Sequence, residues 1–157
     1  MAYRLRPATK SDEPTIWKAT METVWADVPE NEKAGLDRRA FEGAFREYAD
    51  EFVRGDRGER FVAEDEAGRV LGYIILGELR PFFSPQAVAF VYDIWVAPDH
   101  RGKGIGKALV TWAGEWARKR GHRKIKLEVS ETNARARHVY EALGFRAERR
   151  YMGRILE

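Results

Sequence analysis

The sequence predicts an α/β chain, with one mixed sheet covered by helices. Three observations carry that prediction. Runs of alternating or continuous apolar residues stand among segments whose apolar residues recur every three or four positions. Their order reads β-α-α-β-β-β-α-β-α-β. The 157 residues, 44% hydrophobic and 34% charged, hold no internal repeat and no linker rich in Gly, Ser and Pro, so a single domain over 1–157 is expected.

The elements follow in order. A short strand around Tyr3–Arg6 is closed by Pro7. Ser11 or Asp12 can cap the next helix, Pro14 is tolerated in its first turn, and Ile16, Trp17, Thr20, Met21 and Val24 share one face. The polar stretch Asp27–Gly35 reads as a loop. A second helix spans Leu36–Arg54, with Phe41, Phe45, Tyr48 and Phe52 on one stripe. Phe61–Glu66 and Val70–Leu79, split by Ala67-Gly68, read as a hairpin.

Pro81–Pro85 breaks the chain before a third long strand, Ala87–Val96. The helix Ile105–Arg120 aligns Ile105, Ala108, Leu109, Trp112 and Trp116 and stops at Gly121. Lys124–Val129 alternates as a strand with one buried face. Ala134–Leu143 is a short helix, and a last strand is expected within Arg146–Leu156.

Composition excludes several functions. The chain has no cysteine, so disulfides, thiolate metal sites and a cysteine nucleophile are out. With 28 basic and 25 acidic residues, the net charge of +3 is too small to demand nucleic acid. No apolar run approaches the ~18 residues of a membrane helix. The charged N-terminus has no apolar block behind it, so the expectation is a cytoplasmic protein without membrane partners. His100, His122 and His138 lack metal-ligand spacing, and no metal is assigned.

The stretch Asp93–Lys107, DIWVAPDHRGKGIGK, is the most informative. A strand ends at Pro98, a basic turn follows, and Gly102, Gly104 and Gly106 alternate as a helix opens. Glycine lets the backbone approach a ligand, and the first N–H groups of a helix are unpaired and electropositive. Arg101, Lys103 and Lys107 add charge, so a pyrophosphate is the natural guest. Two familiar phosphate motifs fit poorly. Ala108 stands where the nucleotide-hydrolase loop needs Ser or Thr, and the glycine spacing departs from the dinucleotide fingerprint.

Arg101-x-x-Gly104-x-Gly106, behind the strand Tyr92–Pro98, resembles the acyl-CoA motif of the GNAT superfamily of N-acetyltransferases. Asn133-Ala134-Arg135-Ala136, then Tyr140, then Leu143-Gly144-Phe145 resembles its second signature. The resemblance covers nearly the whole chain. It implies a mostly antiparallel central sheet flanked by helices, and acetyl-CoA as co-substrate. It further implies that the amide groups of Gly102, Lys103, Gly104, Ile105, Gly106 and Lys107 hold the pyrophosphate, with Arg101, Asn133 and Ala136 contributing. The strand end Ile94, Trp95 and Val96 would splay at a bulge and pair with the pantetheine arm.

The same resemblance implies direct attack of an amine on the thioester, with Tyr140 as general acid. A phenol of reference pKa ~10 stays protonated at neutral pH. Helical spacing alone also suits a core tyrosine. Glu128 is the first candidate base, because ribosomal-protein N-terminal acetyltransferases carry a similar Leu-Glu-Val segment. Asp93 is the second, an acid inside an apolar strand where burial would raise its pKa. The acceptor is expected to be a small primary amine, with a peptide N-terminus as alternative. It would enter beside Trp17, Met21, Glu22, Trp25 and the Pro81–Pro85 turn. A non-catalytic CoA-binding sensor is the reading from another class, and a homodimer through a sheet edge would suit the family.

Overall fold

The structure, a computed structural model, describes residues 2–156. Five strands form one sheet in the order β1-β2-β3-β4-β5. They are β1 Tyr3–Pro7, β2 Glu59–Asp65, β3 Val70–Leu79, β4 Val88–Val96 and β5 Ile125–Leu127. The first three pairings are antiparallel and β4 with β5 is parallel. A parallel neighbour requires a crossover, which α4 (Ile105–Lys119) supplies. Helices α1 (Glu13–Asp27), α2 (Glu30–Lys33) and α3 (Arg38–Arg54) lie between β1 and β2, and α5 (Ala134–Ala142) follows β5.

Two cores flank the sheet. Ile74 and Leu76 of β3 join Ala89, Val91, Ile105, Leu109, Ala113 and Trp116 on the α4 face. Tyr73 and Ile75 join Ile16, Ala19, Phe52 and Val53 on the face covered by α1 and α3. A central strand buried on both sides explains why β3 is apolar without alternation. Gly72 leaves room for both β4 and α4, because a Cβ there would lie 2.7 Å from the Trp95 carbonyl oxygen and 3.4 Å from Ile105 and Leu109 of α4. At the β1 end, Arg6 donates to Asp12 (2.8 Å) and Glu64 (2.6 Å). Arg6, joined at Glu64 by Arg4 (2.8 Å), thereby holds both carboxyls at about 2, well below the usual range.

Several expectations are corrected. Arg146–Leu156 forms no strand; its Glu148 instead pairs with Lys124 and with Lys126 (2.6 Å), and Arg149 lies over Phe82 and Phe83. The strand expected over Lys124–Val129 contracts to Ile125–Leu127, and the loop Asp27–Gly35 carries the one-turn α2. Asp12 occupies the α1 N-cap but gives that helix no side-chain cap, because its carboxylate is taken by Arg6 and the Thr9 N–H.

The bulge also moves. The register between β3 and β4 shifts between Ile75 opposite Asp93 and Leu76 opposite Val91, which makes Tyr92 the extra residue. Ile94, Trp95 and Val96 stay paired with Ile74, Tyr73 and Gly72. Their other edge is open because β5 ends with Leu127 opposite Val91. The open edge thus comes from a short β5 rather than from a broken β4.

Candidate functional site

Beyond β4 a single 3-10 turn, Pro98–His100, leads into the glycine turn. Gly102 and Gly104 have φ of +80° and +85°, the left-handed region that side chains disfavour. The N–H groups of Gly102, Lys103, Gly104, Ile105, Gly106 and Lys107 have no acceptor among the described residues. Bonding resumes with the Ala108 N–H, 3.0 Å from the Gly104 oxygen. Lys103 and Lys107 are exposed beside these donors. Unsatisfied amides at a helix N-terminus, flanked by cations, form an anion cradle, and this donor set fits a pyrophosphate.

Individual members behave differently. The Ile105 side chain is buried in the core, so only its N–H faces the cradle. Arg101 turns back, its Nε donating to the Val96 oxygen at 3.0 Å, which pins the turn to the strand end. Ile94 and Val96 pack towards the α4 core, whereas Trp95 stacks on Tyr73 at 5.9 Å on the opposite face.

The second signature arrives at the same place. Asn133 caps α5, its Oδ1 accepting from the Ala136 N–H at 3.1 Å. Arg135 reaches the glycine turn, its Nη2 lying 3.3 Å from where a Cβ on Gly102 would stand. Lys124, Lys126 and Arg137, basic residues around that signature, are engaged with Glu148 and Glu131.

On the α1 face, Asp93 Oδ2 accepts from Thr20 Oγ1 and Tyr73 Oη, each at 2.7 Å. Burial pushes its carboxyl up, opposed by these hydroxyls and the Ile94 N–H, and Asp27 adds to the rise. Tyr140 is pushed up to about 12, by burial first and then by the charges of Asp93 and Asp27. Its hydroxyl has no hydrogen-bond partner among the described residues, and its ring lies 6.0 Å from Phe145. Tyr140, Asp93 and Asp27 therefore share one electrostatic neighbourhood. Asp27, at the end of α1, is itself pushed up by burial, with Lys33 opposing.

Glu128 is the first residue beyond β5, exposed and without an ion pair among the described residues. The structure brings it no contact with Asp93 or Tyr140. Sequence reasoning missed Tyr73 and Asp27 and read Thr20 as one member of a helix stripe. A lone tyrosine within the apolar run of β3 was the available signal. In the expected acceptor region Arg46 lies over Trp17 and Arg38 over Trp25, whereas Phe82 and Phe83 are exposed. Among the described residues no cluster of His, Cys, Asp and Glu could hold a metal ion, and no helix is long and apolar enough to cross a membrane.

The model of the acetyltransferase (GNAT) family matches residues 17–145. Streptothricin acetyltransferase of Streptomyces lavendulae is 51% identical over 55 residues, 35% of this chain and 29% of that one. The L-methionine sulfoximine/L-methionine sulfone acetyltransferase of Pseudomonas paraeruginosa is 30% identical over 125 residues, 78% of this chain and 64% of its own length. The matches thus span less than two thirds of these curated relatives. A putative acetyl transferase from Pyrococcus furiosus superposes with a TM-score of 0.81 at 27% identity, covering 99% of this chain and 100% of that one.

Proposed function

The chain belongs to the acetyltransferase (GNAT) family, and from that premise we propose that it transfers an acetyl group from acetyl-CoA to a primary amine on a small molecule. The free amide groups of Gly102–Lys107 carry this reading, since they have no structural acceptor and match a pyrophosphate. Lys103 and Lys107 would add charge. The open edge of Ile94, Trp95 and Val96 would receive the pantetheine arm, and an amide there would polarise the carbonyl. Asn133 and Ala136 set the start of α5 beside the cradle. Relatives named for streptothricin and for L-methionine sulfoximine support a small-molecule acceptor.

Acetyl-CoA, when bound, supplies an activated acyl group and a thiolate leaving group. Tyr140 holds its proton throughout the neutral range, because burial keeps the phenol at about 12. It would donate to sulfur as charge develops, and the second proton that the amine nitrogen loses on becoming an amide would restore the phenol. Glu128, exposed just beyond the edge strand and without an ion pair among the described residues, takes a proton from the incoming ammonium.

Thiol release from acetyl-CoA against a panel of amines and N-terminal peptides tests the reaction. Turnover on amines supports it, and turnover confined to peptides would shift the acceptor to a protein N-terminus. Binding of acetyl-CoA without any turnover would support a sensor instead. Glu128→Gln is expected to steepen the rate loss at low pH, and an unchanged profile would remove Glu128 as the base.

A further inference from the structure

Three oxygens on the α1 face stand in mutual contact. Thr20 Oγ1, Tyr73 Oη and Asp93 Oδ2 are each 2.7 Å from the other two. Every such contact needs one hydrogen between its oxygens. Thr20 and Tyr73 bring one each, and an ionised carboxylate brings none. With Asp93 ionised, two hydrogens serve three contacts, leaving one oxygen pair lone pair to lone pair in a site where Tyr73 and Thr20 are buried and Asp93 is half-buried. A third hydrogen, on Asp93, lets each oxygen donate once and accept once.

We infer that Asp93 carries a proton at neutral pH and closes a ring of three hydroxyl groups with Thr20 and Tyr73. Asp93 is then a positioning residue that ties α1 to β3 and β4. The proton-accepting role falls to Glu128, a step that rests on the acetyl-transfer reading above.

The surroundings agree. No cation faces Asp93 among the described residues. The titratable groups around it are Asp27 from α1, Tyr73 from β3 and Tyr140 from α5, with the Ile94 N–H as a further donor. Arg46 of α3 stacks over Trp17 instead, and α4 packs on the opposite face of the sheet. Burial raises Asp93 against the pull of its donors. A neutral Asp93 also removes one of the two charges pressing on Tyr140.

Carbon-13 NMR of aspartate side-chain carboxyls in the full chain tests the ring. The Asp93 resonance is identified by its loss in Asp93→Asn, and Asp27→Asn separates the two residues if both titrate late. The expected result is a carboxyl still protonated at neutral pH. A carboxyl already ionised at neutral pH, like an ordinary aspartate, overturns the ring. If Asp93→Asn does not fold, the wild-type titration with Asp27→Asn still decides, because a late-titrating carboxyl that survives in that variant is required.

A second readout is unfolding against pH. A raised folded pKa means that the native state binds more protons than the unfolded one, so wild-type stability falls as pH rises from about 4 to the folded value. Asn cannot lose a proton. The ratio of wild-type to Asp93→Asn unfolding constants should therefore grow over that window, by up to about tenfold per pH unit, and level off above it. A flat ratio above pH 5 overturns the inference. Absence of turnover on every amine would leave the NMR midpoint untouched. An early midpoint would leave acetyl transfer standing and return Asp93 to the candidate bases.

Discussion

The glycine turn and the hydroxyl cluster lie at one strand, β4, yet they are built from different material. The turn presents main-chain N–H groups from consecutive residues, Gly102 to Lys107, oriented by two left-handed glycines and the onset of α4. The cluster presents side chains from α1, β3 and β4 that meet only because the sheet and helix pack together. A main-chain site depends on local conformation and tolerates many side chains. A side-chain site depends on distant packing and changes with single substitutions. This difference predicts where each kind of mutation will act.

The largest expected effect is at Tyr140. Tyr140→Phe should lower kcat by about 10²–10⁴-fold, the range of a lost general acid, while the KM for acetyl-CoA changes little. A loss below tenfold would make Tyr140 a packing residue. Because burial holds the phenol at about 12, wild type should show no alkaline limb from Tyr140 below that region. The sign for stability follows. The unfolded phenol ionises near 10, so the contribution of Tyr140 is complete below 10 and is lost as pH rises from there to about 12.

Next is the turn itself. Gly104→Val forces a β-branched residue to φ +85°, at a cost of about 1–3 kcal/mol, or roughly 5- to 150-fold in acetyl-CoA affinity. Calorimetry with acetyl-CoA reads this directly, and unchanged affinity would break the claim that the cradle is main-chain. The β1 end offers a test remote from both sites. Arg6→Gln leaves Asp12 without its cation and Glu64 with Arg4 alone, and should lower Tm by on the order of 5 °C at neutral pH. The loss should shrink on acidification, because both folded carboxyls sit at about 2. Their stabilisation is complete above the unfolded values near 4 and is lost as pH falls towards 2.

The smallest effect sharpens the comparison within one helix. Gly114, inside α4, has no left-handed requirement, and a Cβ there would meet nothing nearer than Arg118 at 3.9 Å. Gly114→Ala should raise stability by about 0.5–1 kcal/mol and leave acetyl-CoA affinity unchanged. Denaturant unfolding beside the same calorimetry checks it.

The legible part of the molecule was the part written in neighbouring residues. The three alternating glycines, the stripe Ile105, Leu109, Trp112 and Trp116, and the Asn133 cap each state their geometry within one or two turns of chain. The end of β5 was not legible, since Lys124–Val129 alternates well past Leu127. Tertiary context withdraws a partner there, and Glu148 from the irregular C-terminal segment takes Lys124 and Lys126. The bulge at Tyr92 was misplaced for a related reason: it is a mismatch between two strands, and neither strand alone contains it.

By itself, the sequence determined the anion cradle, the helices that carry apolar stripes, and the mixed sheet between them. Those properties follow from allowed φ, hydrogen-bond donors at a helix start and the period of burial, all local quantities. Only the tertiary structure decided the company of Asp93. Thr20 lies 73 residues from it, Tyr73 lies 20 away, and Thr20 and Tyr73 are 53 apart. No local rule joins positions at those separations. Their contact is set by how α1 docks on the face of β3 and β4, and the proton inferred there follows from the three contacts that docking creates.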